Sequence, residues 1–392
     1  MAATERSEPG HYAYIDTVRG LAFLGVLAIH AAIVAGPFPG RNLLLQGNFG
    51  VQLFFLASAV TLCHSMAARQ AVDKCPVGFF YLRRLFRIAP LFWLAMIFYW
   101  TWPGSIPATS FAQSAPAGVQ PAYFVLTTLF LHGWHPYTFN SIVPGGWSIA
   151  VEMTFYAFFP LFFYALKSLT KTAVAVALGI GFTKLAFHFI FPQLRQHVYA
   201  GTPDVIWNFF VTLWFPTQFN VFLIGFLTYH LLQRTDVQAR MQSKLWSGGL
   251  LAGGGAALVG LMLYGAGNFM PAYFLIIFAL AGMVIAISGK AQPWLVNPVL
   301  CQLGKISYSC YLVHFAALGL TLRWLGVQVT AAAPAFEAGS AAGNFWFFLK
   351  VITLTLLLTA ALATLTLHLI ENPGIALGKK IIRRISATLP AK

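Results

Sequence analysis

The sequence predicts an all-α protein that crosses a membrane several times. Of its 392 residues, 59% are hydrophobic and only 8% are charged, whereas an ordinary soluble domain has roughly 25% charged residues. The apolar residues form blocks of about 20 residues, which is the length that a helix needs to cross the hydrocarbon core of a bilayer. With so few charged side chains, the chain could not cover a water-soluble surface of this size.

Eleven apolar stretches are candidates for membrane helices. They cover residues 18–36, 47–66, 84–102, 122–134, 147–166, 172–191, 205–233, 246–264, 271–288, 302–324 and 345–370. The fourth stretch is short and runs into His132, Trp134 and Gly145–Gly146, which are poor material for a helix that faces lipid. Its path through the membrane therefore has to be decided from another property of the sequence.

The distribution of Lys and Arg decides whether the fourth stretch spans the membrane, because basic residues accumulate in cytoplasmic loops. If the N-terminus is cytoplasmic and the fourth stretch returns to the side it came from, 19 of the 24 basic residues lie inside. If it spans, the division becomes ten inside and thirteen outside. The sequence thus predicts about ten transmembrane helices, one re-entrant element at 122–146 and two cytoplasmic termini. Irregular backbone at membrane depth must line a cavity or be buried in protein, so we also expect a cavity on the outer side.

Nothing in the sequence indicates a second domain. We expect a single transmembrane domain at 15–374, a cytoplasmic N-terminal tail at 1–14 and a basic cytoplasmic C-terminal tail at 375–392. The net charge of +15 fits helix ends that contact anionic lipid headgroups, so we expect membrane lipids as partners and no nucleic acid. The four cysteines lack the spacing of metal ligands, and we expect no metal.

Ionisable residues inside a membrane are costly and indicate function. Arg19 and His30 share one face of the first helix, because eleven residues at about 100° per residue return to within about 20°. They are separated by roughly 16 Å along the axis. Taken alone, Arg19 could be an anchor at the membrane boundary and His30 a partner in a hydrogen bond between helices. Their shared face favours a functional interpretation.

Three further groups stand out. Arg83, Arg84 and Arg87 crowd the start of the third stretch, either as an anchor or as a clamp for phosphate, which guanidinium groups bind bidentately. Glu152 falls at the depth of His30, and we expect its carboxylate to orient the histidine ring; a protonated structural Glu152 is the alternative. Ser307, Tyr311 and His314 form a polar stripe that lines a tunnel or joins helices.

Taken together, these motifs resemble the acyltransferase-3 family of bacterial membrane acyltransferases. The resemblance runs nearly end to end. It rests on Asp16-x-x-Arg19-Gly20 with His30, GNFGVQLFFLAS around Phe54–Ser58, Arg84-x-x-Arg87, Trp147-Ser148-x-x-x-Glu152, Gly304-Lys305-x-Ser307-Tyr308-x-x-Tyr311-x-x-His314 and Glu371-x-Pro373. Two departures are Ala59, where the family commonly has Gly, and Met153, where many members carry a second acidic residue.

The resemblance implies an enzyme of the bacterial cytoplasmic (inner) membrane that moves an acyl group, usually acetyl from acetyl-CoA, to a hydroxyl of a carbohydrate or lipid-linked glycan. By the same resemblance, His30 and Glu152 are the expected catalytic residues. The residues expected to bind acyl-CoA are Arg19, Arg83, Arg84, Arg87, Tyr308, Tyr311 and His314. Direct attack and an acyl-histidine intermediate are both compatible with the sequence. The alternative is a transporter or flippase for a glycan or small metabolite.

Overall fold

The structure is a computed structural model that describes residues 12–102, 118–264, 269–289, 291–327 and 340–390. Within these ranges every regular element is a helix. Most of the tail predicted at 1–14 and the last two residues of the tail predicted at 375–392 lie outside the described residues. The predicted all-α class is confirmed.

The helices follow one another with short connections. They are α1 (Ala13–Val34), α2 (Arg41–Leu45), α3 (Gly50–Arg69), α4 (Pro76–Thr101), α5 (Pro121–Thr128), α6 (Gly146–Ala165), α7 (Leu169–Leu185), α8 (Phe191–His197), α9 (Asp204–Leu213), α10 (Phe215–Leu232), α11 (Thr235–Met241), α12 (Lys244–Tyr264), α13 (Phe269–Ser288), α14 (Pro298–Lys305), α15 (Ser307–Trp324), α16 (Ala341–Thr366) and α17 (Asn372–Thr388). Two π-helical turns, Ala186–Ile190 and Leu367–Glu371, join α7 to α8 and α16 to α17.

Six helical segments of the described chain are long and apolar enough to cross a membrane. They are Ala13–Val34, Arg41–Arg69, Gly146–Ala165, Leu169–His197, Asp204–Leu232 and Ala341–Thr388. The protein is therefore an all-helical protein of the multi-pass membrane type. The count of about ten spans and the cytoplasmic position of both termini stay predictions, as does the division into one domain and two tails.

The fourth apolar stretch does not form a spanning helix. Its only α-helix, α5, has eight residues and is about 12 Å long, which is less than half of the hydrocarbon thickness. Turns and a 3-10 helix at His132–Trp134 continue the chain to Gly145. The indole of Trp93 on α4 donates to the carbonyl oxygen of Thr128 at 3.0 Å, which ties this element to α4. Its re-entrant path in a bilayer stays a prediction.

Small residues allow the helices around α1 to approach closely, as is common between membrane helices. A β-carbon at Gly20 would lie 2.5 Å from the carbonyl oxygen of Leu300 on α14, and one at Gly304 would collide with the carbonyl oxygen of Asp16. Between α3 and α10, a β-carbon at Gly225 would lie 2.5 Å from the β-carbon of Ala59. Where the family commonly has glycine, this chain has Ala59, and Gly225 on the neighbouring helix leaves room for its methyl group.

We expect Gly304→Ala to destabilise the protein by about 1–3 kcal/mol, because the added methyl group meets backbone that cannot move aside. The apparent melting temperature of the detergent-solubilised protein measures this. Gly253→Ala on α12 is the control, since a β-carbon there meets no atom within 4 Å and alanine favours the helix. Equal melting temperatures for the two variants would contradict the close packing of α1 on α14.

Candidate active site

Six of the predicted residues line one cavity between α1, α3, α4, α6 and α15. This cavity, called here the inner cavity, contains about 610 Å³ of space between its atoms. Arg19, Arg84 and Arg87 contribute guanidinium groups to its wall, and Glu152 contributes a carboxylate. Tyr308 also lines it, and its hydroxyl donates to the carbonyl oxygen of Ile88 at 2.6 Å.

The carboxylate of Glu152 is fixed in the wall of the inner cavity by hydrogen bonds from two hydroxyl groups. Its Oε1 atom accepts hydrogen bonds from Ser58 Oγ on α3 and from Tyr156 Oη one turn further along α6. The expectation that Glu152 orients His30 is wrong in this structure: among the described residues the carboxylate binds Ser58 and Tyr156, and His30 lines a different cavity. The helical rise predicts a similar depth for Glu152 and His30, but it does not show that the two side chains line different cavities.

Arg84 lies over aromatic rings at the wall of the inner cavity. Its guanidinium carbon is 5.9 Å from the ring centroid of Tyr156 and 6.0 Å from that of Phe80. The Nε atom of Arg84 is buried and has no hydrogen-bond partner in the part of the chain that the structure describes. Arg19 donates from Nη2 to Thr61 Oγ1 at 3.3 Å. Both guanidinium groups therefore keep donors for a further anionic partner.

Arg83 does not join this cavity, although it directly precedes Arg84. Consecutive residues of a helix point about 100° apart, and Arg83 Nη2 forms an ion pair with Asp73 Oδ2 at 2.7 Å. The structure thus separates Arg83 from Arg84 and Arg87, with which it was predicted to bind acyl-CoA. The ion pair links the first part of α4 to the connection between α3 and α4.

A second carboxylate lies behind the arginine cluster. Glu371 is buried, and its Oε2 atom accepts a hydrogen bond from Ser309 Oγ at 3.0 Å. It lies close enough to Arg87 and Arg19 to interact with them electrostatically. A third carboxylate, that of Asp16, interacts in the same way with Arg19. Among the described residues, the wall of the inner cavity itself carries three guanidinium groups and the carboxylate of Glu152, which suits a ligand that carries several negative charges. The motif Glu371-x-Pro373 does not predict this position, because the sequence does not show that its helix returns to the arginines.

A larger space, called here the outer cavity, contains His30. It holds about 1670 Å³ between its atoms, and most of its wall is apolar. The ring of His30 packs against the ring of Phe315, with centroids 4.5 Å apart, and against that of His314, with centroids 5.3 Å apart. His314 was predicted to contact acyl-CoA. The structure instead places it behind His30, fully buried.

The two cavities meet at Tyr311, which lines both of them. Its hydroxyl oxygen lies 3.1 Å from the carbonyl oxygen of Gly145 and 2.9 Å from Ser148 Oγ. Gly145 has φ +73°, which favours glycine, and a β-carbon there would lie 2.8 Å from the hydroxyl of Tyr311. Glycine at position 145 thus allows the phenol to stand at the junction of the cavities.

Two contributors to the site were missed at the level of sequence. Ser58 was noted only as part of the motif, and Tyr156 was not considered at all. The spacing of four residues between Glu152 and Tyr156 is a signal that could have found the tyrosine, because residues four apart on a helix are neighbours. No local signal indicates Ser58, since its contact with Glu152 joins two helices 94 residues apart.

Comparison with known proteins identifies the family. A family model described as an acyltransferase domain matches residues 12–364. The chain belongs to the acyltransferase-3 family. The match covers every residue of the inner cavity named above and also His30, and it confirms the resemblance that the sequence motifs indicated. No solved structure matches the chain.

Curated relatives carry names of the same kind. The acyltransferase MdmB of Streptomyces mycarofaciens is 26% identical over 395 residues, and the alignment covers 95% of this chain and 93% of that protein. The putative O-acetyltransferase SACOL0978 of Staphylococcus aureus (strain COL) is 24% identical over 319 residues. That alignment covers 78% of this chain and 50% of the relative, so the shared region is about half of the longer protein.

Replacing Glu152 by Gln should destabilise the protein by about 2 kcal/mol, because the hydroxyls of Ser58 and Tyr156 lose a charged acceptor and the arginines lose a counter-charge. Tyr156→Phe is the control: it removes one hydrogen bond but keeps the charge of Glu152, and it should lower the free energy of unfolding by less. Inorganic phosphate should raise the melting temperature of Glu152→Gln more than that of the wild type. Equal shifts in the two proteins would contradict a charge-balanced anion site.

Proposed function

We propose that this protein is an O-acyltransferase that moves an acyl group, acetyl by default, from cytoplasmic acyl-CoA to a hydroxyl of a sugar in a surface or exported glycan. The observation that supports it most is the junction at Tyr311 between a cavity of three arginines and a cavity that contains His30. The family supports transfer of an acyl group. The name of the staphylococcal relatives supports oxygen as the acceptor atom and acetyl as the group.

The arginine cluster is the proposed binding site for the donor. Phosphate groups of acyl-CoA would bind to Arg84 and Arg87, with Arg19 deeper in the same cavity. Arg19 and His30 are separated by roughly 16 Å along α1, a distance that an extended pantetheine arm can cover. The thioester would then lie past Tyr311, beside His30.

His30 is the proposed general base for the transfer. The hydroxyl of the acceptor would enter the outer cavity and give its proton to a ring nitrogen of His30, while its oxygen attacks the thioester carbonyl carbon. The carbon–sulfur bond then breaks, and the thiol of CoA leaves with the proton from His30. Such assistance contributes roughly 10²–10⁴-fold to a rate, and positioning of both substrates contributes more.

The location of the acceptor follows from the same scheme. If the arginine end faces the cytoplasm, the outer cavity opens toward the far side of a bacterial inner membrane. A carbohydrate on its way to the cell surface, or one still attached to a lipid carrier, would reach His30 from there.

Arg84→Ala should weaken the binding of acetyl-CoA about 10-fold to 100-fold, since a lost hydrogen bond between charged groups is equivalent to roughly 1.5–3 kcal/mol. Titration of acetyl-CoA against protein in lipid nanodiscs measures the dissociation constant. The adjacent Arg83→Ala is a matched control, because it removes the same type of side chain outside the cavity and should bind acetyl-CoA like the wild type. Equal losses in both variants would show that the effect is one of general surface charge.

His30→Ala should abolish acyl transfer while acetyl-CoA still binds, because the base is lost but the arginine cluster is intact. The measurement is thiol release from acetyl-CoA by the purified protein, with and without a lipid-linked glycan fraction extracted from membranes. Full activity of His30→Ala would refute the proposed base. A wild-type protein that releases no thiol but moves the glycan across a vesicle membrane would instead favour a transporter.

A further inference from the structure

His30 and His314 lie side by side at the outer cavity, where His30 is half-buried and His314 is buried. Their ring centroids are 5.3 Å apart and their planes are inclined by 39°. At this separation two imidazole edges can approach to hydrogen-bonding distance, roughly 3 Å. His30 lines the cavity, whereas His314 is fully buried behind it, between the rings of Phe23 and Phe315.

The backbone of α15 determines which nitrogen of His314 carries the proton. The Nδ1 atom lies 2.6 Å from the carbonyl oxygen of Tyr311. A carbonyl oxygen can only accept, so Nδ1 must be the donor, and in the neutral ring Nε2 is left with a lone pair. That Nε2 atom is buried and has no hydrogen-bond partner among the residues that the structure describes. A buried acceptor of this kind is costly unless something donates to it.

We propose that His314 is a positioning residue that accepts a hydrogen bond from one ring nitrogen of His30 and so turns the other nitrogen toward the substrates. The proposal rests on the proposed function, in which His30 is the base. It gives His314 the role that Glu152 was expected to have. It also removes His314 from the set of residues that bind the donor.

The arrangement supports the proton transfer in the scheme above. A histidine that is to accept a proton on one nitrogen must carry its hydrogen on the other. The lone pair of His314 favours that tautomer. When His30 receives the proton of the acceptor hydroxyl, it carries two N–H groups, and the inner one remains hydrogen-bonded to His314. The proton then passes from the outer nitrogen of His30 to the leaving thiol, and both rings return to their starting state.

Tyr311 connects this pair to the rest of the site. Its carbonyl oxygen fixes the ring of His314, and its hydroxyl stands at the junction of the cavities. The carboxylate of Glu152 does not take the place of His314, because it lines the inner cavity and binds Ser58 and Tyr156, whereas His30 lines the outer cavity. The closest polar ring to His30 in the described structure is therefore that of His314.

Two substitutions test the roles of the two ring nitrogens of His314 separately. In His314→Asn the side-chain amide can still donate to the carbonyl of Tyr311, but nothing remains at the position of Nε2. In His314→Gln an amide oxygen can reach that position and accept from His30. Each protein would be tested in nanodiscs for thiol release with varied acetyl-CoA and a fixed amount of membrane glycan extract, and for acetyl-CoA binding. The rate at which diethyl pyrocarbonate modifies His30, followed by mass spectrometry, adds a readout that needs no turnover.

We expect His314→Asn to lower kcat by about 10-fold to 100-fold at an unchanged KM for acetyl-CoA. It should also slow the modification of His30 by diethyl pyrocarbonate. His314→Gln should recover part of the kcat and part of the modification rate. An unchanged kcat in His314→Asn, or a raised KM at an unchanged kcat, would overturn the proposal. If the wild type releases no thiol, the proposed function fails. In that case the modification rates still decide the pairing: a slower reaction in His314→Asn supports it, and an equal rate refutes it.

Discussion

The inner cavity depends on the hydrogen bonds by which Ser58 and Tyr156 hold the carboxylate of Glu152 beside three guanidinium groups. Charges removed from water are costly unless they are paired and hydrogen-bonded. Glu152 meets this requirement with hydroxyls from two helices, and it offsets part of the charge of Arg19 and Arg84. Because one carboxylate here balances groups on α1, α3, α4 and α6, the positions of these four helices are coupled. This balance lowers the cost of keeping the arginines directed into a cavity between substrate visits.

Composition and hydropathy were sufficient to predict the class of the fold, since few soluble chains carry so little charge. The non-spanning fourth stretch also followed from the sequence, because the basic residues assign sides to the loops and α5 is too short to cross. The arginines of the inner cavity were predicted from their cost in a membrane. Each of these inferences uses a property of one segment or of the whole chain, and such properties are visible without knowledge of how the segments pack.

The errors have a common physical origin. The expected contact between His30 and Glu152 was inferred from depth along two helices, but depth does not report the direction in which a side chain points across a helix bundle. Arg83 was grouped with Arg84 for a similar reason, although adjacent positions on a helix face different surroundings. The hydroxyl of Ser58 and the carboxylate of Glu371 come to the site through pairings between distant helices. Such pairings are set by packing between helices, which one sequence alone does not contain.

The separation of the two cavities, with Tyr311 between them, has a kinetic meaning under the proposed function. Neither substrate has to vacate its space for the other to enter, so donor and acceptor can be bound together and in either order. Only the acyl group and the thioester end of the pantetheine arm then pass the phenol ring. The two leaving products also have separate exits, and a slow departure of one need not delay that of the other. An enzyme built in this way can work at a boundary where its substrates never share a compartment.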